Sequence, residues 1–65
     1  MQNKKTRVLL ADDHTVVRKG FTLILSGQPD LEVVGEARNG REAVELSERL
    51  QPDVVVIDVS MPELN

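Results

Sequence analysis

Three aspartates occupy positions where their carboxylates could bind a metal ion or act as nucleophiles. Asp12 and Asp13 directly follow the apolar run at residues 7–11, and Asp58 directly follows residues 54–57, the most apolar stretch of the chain. Carboxylates held close together repel one another unless a cation offsets their charge. A cluster of oxygen ligands favours Mg²⁺, which keeps several water ligands and takes few carboxylates. The alternative is that each acid is only solvated or caps a helix.

Three short apolar segments predict the strands that must position these aspartates: residues 7–11, 31–37 and 54–57. A helix is predicted in each gap, which gives the order β-α-β-α-β. Crossovers of this length make the strands parallel and the connections right-handed. Such units build doubly wound α/β sheets, whose ligands bind beyond the carboxyl ends of the strands. If the first and third strands are neighbours, all three aspartates lie at that edge.

The first helix is predicted from four apolar residues at helical spacing, namely Val17, Phe21, Ile24 and Leu25. We expect Thr15 or Asp13 to cap its start, and Gly27 followed by Pro29 to end it.

The second helix is predicted to begin at Asn39, with Glu42 three residues later as in a capping box, and to end before Pro52.

The composition excludes several classes of protein. The chain has 65 residues, 11 Asp and Glu against 8 Lys and Arg, a formal net charge of -3 and no Cys. That length allows one domain at most, and the absence of Cys excludes disulfides and thiolate zinc sites. No apolar run approaches the roughly 18–20 residues of a membrane-spanning helix, so we expect a cytoplasmic protein without a membrane partner. The acidic balance argues against non-specific binding of nucleic acid.

Four stretches of the chain form a recognisable pattern around the aspartates: Val8-Leu9-Leu10-Ala11-Asp12-Asp13-His14, Val17-Arg18-Lys19-Gly20-Phe21, Val33-Val34-Gly35-Glu36-Ala37-Arg38-Asn39-Gly40 and Pro52-Asp53-Val54-Val55-Val56-Ile57-Asp58-Val59-Ser60-Met61-Pro62. From about Thr6 to the last residue the chain resembles a bacterial response-regulator receiver domain, most closely of the NarL/FixJ (LuxR-type) branch. The acidic pair combined with Asp-x-x-Met-Pro at this spacing is far more specific than either motif alone.

The resemblance implies a fold and a set of roles. The fold is part of a flavodoxin-like doubly wound parallel sheet, with three strands in the order 2-1-3. Asp58 matches the phosphoacceptor, which takes a phosphoryl group from a sensor histidine kinase. Mg²⁺, for which Mn²⁺ can substitute, would be bound by Asp13 directly, with Asp12 in support, by Asp58 and by the backbone carbonyl of Ser60. Such a domain is a signalling module that controls transcription in its parent protein, and it is not a turnover enzyme.

The chain departs from the family pattern in its extent. Residues 1–5 are interpreted as a leader, and residues 6–65 as the N-terminal half of a receiver domain that stops after the third strand. In the family, a Ser or Thr on a fourth strand and a Lys on a fifth bind the phosphoryl group, and none of Lys4, Lys5 and Lys19 matches that Lys. DNA binding in the LuxR-type branch belongs to a C-terminal helix-turn-helix domain, which is not in this sequence.

The sequence leaves two alternatives open. A haloacid-dehalogenase-type phosphatase also uses a strand-end aspartate with Mg²⁺, but it requires a second aspartate two residues later, where this chain has Ser60. The other alternative is a self-associating half-domain without phosphotransfer activity. We expect an ordered form to be a homodimer or part of a larger native chain, because the third strand would be an open apolar edge and one face of the first strand, around Val8 and Leu10, would lack cover.

His14 is the only histidine in the chain. We expect it to be exposed at the start of the first helix and not to act as a proton relay.

Overall fold

Five elements alternate along the chain in a computed structural model that describes residues 4–58. They are β1 (Thr6–Ala11), α1 (Thr15–Ser26), β2 (Leu31–Ala37), α2 (Gly40–Leu50) and β3 (Val54–Ile57). The predicted order β-α-β-α-β is therefore confirmed. Ser60 lies outside the described residues, so its predicted contribution to a metal site stays a prediction. No helix in the described part of the chain is long and apolar enough to cross a membrane.

The three strands form one sheet in the order β2-β1-β3, and both pairings are parallel. This confirms the expected strand order 2-1-3. The central strand carries the core, since Leu9 and Leu10 are fully buried. Ala11, the last residue of β1, pairs with Ala37 on one side and with Ile57 on the other. The three strands therefore end together at one edge of the sheet.

The second helix packs closely against one face of the sheet. Ala11, Ala37 and Ala43 form a buried cluster, and Leu46 packs against it. Close approach is possible because Gly35 has no side chain: a Cβ there would lie 2.8 Å from Leu50 Cδ1 and 3.2 Å from Leu9 Cδ1. Small residues at this contact thus set the distance between α2 and the strands.

The start of α1 differs from the prediction. Neither Thr15 nor Asp13 caps the helix; the N-cap residue is His14, and its side chain forms no capping hydrogen bond. The carboxylate of Asp12 instead accepts a hydrogen bond from the backbone N–H of His14 at 2.8 Å. The turn from β1 into α1 is therefore closed by the first aspartate of the pair.

The caps of α2 follow the prediction more closely. The Asn39 side chain accepts a hydrogen bond from the backbone N–H of Glu42 at 2.9 Å. In a standard capping box the Glu42 carboxylate would accept from the backbone N–H of Asn39. Here it accepts instead from the backbone N–H of the preceding residue, Arg38, at 2.9 Å. The helix therefore begins at Gly40, as the Asn39 signal indicated.

The expectation that one face of β1 would lack cover is wrong. The expectation that β3 would have an open apolar edge is confirmed for the described residues. Val8 and Leu10 are only 3% and 1% exposed, so their side chains on this face of the central strand are covered. On β3, by contrast, Val54, Val56 and Ile57 are 39–45% exposed. Within residues 4–58 this strand pairs with β1 alone, so its other edge has no partner strand there.

Candidate functional site

The sheet brings the three predicted aspartates to the same edge. Asp12 and Asp13 follow β1, and Asp58 follows β3. The pairing of β1 with β3 continues one step past the strand, since the backbone N–H of Asp58 donates to the carbonyl of Ala11 at 3.0 Å. On the other side, the N–H of Asp12 donates to the carbonyl of Ala37, also at 3.0 Å. The backbone on either side of the site is thus fixed by the ladders of the sheet.

Four side chains converge at this edge. Asp12, Asp13, His14 and Asp58 each place one potential ligand atom so that all four atoms lie within 4.8 Å of one another. The Asp12 side chain is buried, that of Asp58 is partly buried, and those of Asp13 and His14 are more open to solvent. Mg²⁺ prefers oxygen ligands and keeps several of its waters. The three carboxylates supply the oxygens and the open side of the cluster leaves room for water, so the donor set fits Mg²⁺.

His14 is the member of this cluster that sequence reasoning missed. Its Nδ1 lies 2.9 Å from Asp13 Oδ1, 3.4 Å from Asp12 Oδ1 and 3.8 Å from Asp58 Oδ2. The side chain is exposed, as expected, but it faces the carboxylates. The available signal was its position directly after the acidic pair, which places it at the same turn.

Arg18 stabilises the turn between β1 and α1, and the sequence did not predict a role for it. Its side chain is buried, and its guanidinium donates to the backbone carbonyl of Asp12 at 2.7 Å. The same guanidinium donates through Nε to Glu36 Oε1 on β2 at 3.1 Å. Arg18 therefore ties α1 and β2 to the residue that begins the acidic pair.

Glu36 is held in its ionised form by this arrangement. Burial alone would raise the pKa of its carboxyl, but hydrogen bonds from Lys19 and Arg18 outweigh burial and hold the pKa below the ordinary value of 4.5. Lys19 Nζ lies 3.2 Å from Glu36 Oε1, and its side chain is mostly exposed. The buried positive charge of Arg18 thus has a compensating negative charge within hydrogen-bond distance.

An apolar groove borders the acidic cluster on the α1 side of the sheet. Its volume is about 440 Å³, and it is lined by Leu10, Ala11, Asp12, Val17, Phe21, Val56, Ile57 and Asp58. Val17 and Phe21, two of the apolar residues from which α1 was predicted, are 45% and 46% exposed. The groove therefore separates the helix from β3 and leaves apolar surface of both elements open.

Comparison with known proteins identifies the family. The family model described as the response regulator receiver domain matches residues 8–65. The chain is 49% identical over 59 residues to the uncharacterized transcriptional regulatory protein YhcZ of Bacillus subtilis, which covers 91% of this chain and 28% of that protein. It is 47% identical over 58 residues to the nitrate/nitrite response regulator protein NarL of Escherichia coli K12, covering 89% of this chain and 27% of that protein.

Solved structures share the fold as well as the sequence. The signal receiver domain of the putative response regulator NarL from Mycobacterium tuberculosis superposes with a TM-score of 0.87 at 42% identity, covering 91% of this chain and 48% of that one. The response regulator domain of Thermotoga maritima CheB gives a TM-score of 0.89 at 45% identity, covering 95% and 46%. The chain thus spans about half of these solved domains and between a sixth and a third of the curated relatives. On its sequence and its fold together, the chain belongs to the response-regulator receiver domain family of two-component systems.

Proposed function

We propose that Asp58 accepts a phosphoryl group from a sensor histidine kinase while Asp12, Asp13 and Asp58 hold Mg²⁺, with Mn²⁺ able to substitute. The backbone carbonyl of Ser60 would complete the ligand set. The observation that carries the proposal is the convergence of the three carboxylates at the shared carboxyl-terminal edge of β1 and β3. Membership of the receiver family supports the assignment of the individual roles.

The chemistry is a transfer between two nucleophiles. A carboxylate oxygen of Asp58 attacks the phosphorus of a phosphohistidine, an O–P bond forms, the N–P bond breaks, and the imidazole leaves with the bonding electron pair. A bound divalent cation supplies charge neutralisation, which an anionic nucleophile needs in order to approach an anionic phosphoryl group. Asp58 is positioned by β3 and by the hydrogen bond of its N–H to Ala11. Asp12 is positioned by Arg18 and by the N–H of His14.

The proposed role is that of a signalling module without turnover of its own. The curated relatives include transcriptional regulators, and also a protein-glutamate methylesterase/protein-glutamine glutaminase of Pyrococcus abyssi that is 46% identical over 65 residues. The same receiver pattern therefore occurs beside different output domains. We assign control of transcription, and DNA contact through a separate C-terminal domain, on the strength of the NarL-type relatives. A cytoplasmic location follows from the same assignment.

The experiment that tests the proposal is phosphoryl uptake from acetyl phosphate by a complete regulator that contains this chain. We expect one phosphoryl group per chain in Mg²⁺, none after chelation of the metal, and recovery in Mn²⁺. The 65-residue chain alone should label much more slowly, because the Ser or Thr and the Lys of the family pattern are not in its sequence, and losing such donors costs several kcal/mol of barrier each. Equal rates for the two forms would contradict this reasoning.

The open edge of β3 supports a second proposal, that the isolated chain forms a two-fold symmetric homodimer. This edge strand carries three apolar residues that are 39–45% exposed, namely Val54, Val56 and Ile57. Two of them, Val56 and Ile57, also line the apolar groove beside α1. Unpaired strand edges recruit further strands, and a domain of this size is marginal by itself. Sedimentation should show a dimer, and a monomeric chain that unfolds cooperatively would contradict the proposal. Self-association is compatible with the receiver assignment, whereas the relatives named above give no support to the phosphatase alternative.

A further inference from the structure

The imidazole of His14 faces the space that the three carboxylates surround. Its Nδ1 lies within 4 Å of an oxygen from each of Asp12, Asp13 and Asp58. The backbone of His14 is fixed, because its N–H is bound by Asp12 and its carbonyl accepts the first helical hydrogen bond, from Arg18, at 2.8 Å. A ring on a fixed backbone needs little reorganisation to act as a fourth ligand.

The distances match those between ligands of one small ion. Zinc binds histidine nitrogen and carboxylate oxygen at about 2.0–2.2 Å in tetrahedral geometry. The ligand atoms of such a site are therefore separated from one another by roughly 3.3–3.6 Å. The three distances from Nδ1, 2.9, 3.4 and 3.8 Å, bracket this value. Small rotations of exposed side chains would close the remaining differences.

The composition of the chain leaves few other sites for such an ion. The chain contains one histidine and no cysteine. Imidazole and thiolate are the side-chain ligands that favour zinc over magnesium, whereas magnesium prefers oxygen. His14 is thus the single side chain in this sequence that could give a cation site preference for a borderline transition metal.

We propose that His14 is a metal ligand, which allows the site to bind Zn²⁺ and chemically similar ions such as Co²⁺ in competition with Mg²⁺. The inference rests on the proposed function in one respect, namely that the aspartates bind a cation. It adds the identity of the competing metal and the residue responsible.

The test compares metal affinities of the full chain and its His14→Ala variant, both without an affinity tag. Calorimetry would give the Kd values of Mg²⁺ and Zn²⁺, and Co²⁺ would add a visible spectrum that reports nitrogen ligation.

We expect His14→Ala to weaken the affinity for Zn²⁺ by at least about tenfold, since even partners outside the ligand shell contribute 10- to 100-fold to metal affinity. Binding of Mg²⁺ should not weaken. His14 is exposed, so its replacement should leave the fold intact, and circular dichroism of both proteins checks this. A Thr15→Ala variant, changed at the neighbouring exposed residue, is the matched control and should bind both metals as the wild type does.

The outcomes separate this inference from the proposal beneath it. Equal Zn²⁺ affinity in the wild type and His14→Ala, with Mg²⁺ still bound, would overturn the role of His14 and leave the magnesium site standing. The contact of His14 with Asp13 would then be a local one without a part in metal binding. Absence of both metals from the wild type would overturn both. Imidazole NMR gives an independent reading, because the chain has a single histidine: Zn²⁺ should shift its Nδ1 resonance, and an unshifted resonance at saturating Zn²⁺ would contradict ligation.

Discussion

Replacement of Asp58 by asparagine should abolish phosphoryl uptake. An amide of the same shape preserves packing at the end of β3, but it offers no carboxylate oxygen to attack phosphorus. It also removes one charge from the cation site, so Mg²⁺ affinity should fall in parallel. Mass spectrometry of the intact regulator after exposure to acetyl phosphate would measure the loss directly, as the absence of the phosphorylated species.

The matched control for this variant is Asp30→Asn. Asp30 is an exposed aspartate that precedes β2 at the opposite edge of the sheet, and it is not part of the acidic cluster. Its variant should label at the rate of the wild type. Persistent labelling of Asp58→Asn would show that another carboxylate of the cluster, such as that of Asp13, is the nucleophile. The assigned roles of the two residues would then have to be exchanged.

Replacement of Arg18 by methionine should destabilise the fold more than any change at an exposed charge. The variant leaves the carbonyl of Asp12 without the guanidinium donor and leaves Glu36 with Lys19 as its remaining cationic partner. Breaking a buried ion pair costs about 3–5 kcal/mol. Because Glu36 is partly exposed and keeps Lys19, we expect about 2–3 kcal/mol here, measured by urea unfolding.

Lys19→Met is the control for Arg18, since both side chains contact Glu36 but Lys19 is mostly exposed. Surface pairs of this kind contribute about 0–1 kcal/mol, so its unfolding midpoint should barely move. Arg18→Met should also weaken Mg²⁺ binding, because the turn that carries Asp12 and Asp13 loses its anchor. Equal unfolding midpoints for the two variants would contradict a structural role for Arg18.

The sequence predicted the parts of the molecule that depend on local pattern. Apolar runs and helical spacing located all five elements, and the acidic residues after β1 and β3 were correctly expected to meet at one edge of the sheet. Asn39 was correctly expected at the start of α2, because its cap is formed by a residue three positions away. These features are decided within a few residues, or by the general rules of parallel sheets.

What the sequence could not predict depends on tertiary contacts. His14 is the N-cap residue of α1, and its backbone N–H donates to the Asp12 carboxylate. The residue types alone do not decide this arrangement. The burial of Arg18 depends on its meeting Glu36, which is 18 residues away. Val8 and Leu10 were wrongly expected to lack cover, since their burial depends on tertiary packing that the residue types alone do not show.

The central claim is that Asp12, Asp13 and Asp58 form one divalent-cation site, and paramagnetic broadening by Mn²⁺ tests it most directly. In an amide NMR spectrum, we expect substoichiometric Mn²⁺ to erase the signals of residues 11–14 and of Asp58. The signals of Asp30 and Asp53, acids at the opposite edge of the sheet, should persist, and excess Mg²⁺ should restore the lost ones. Loss confined to other acidic residues, or no selective loss at all, would contradict the account.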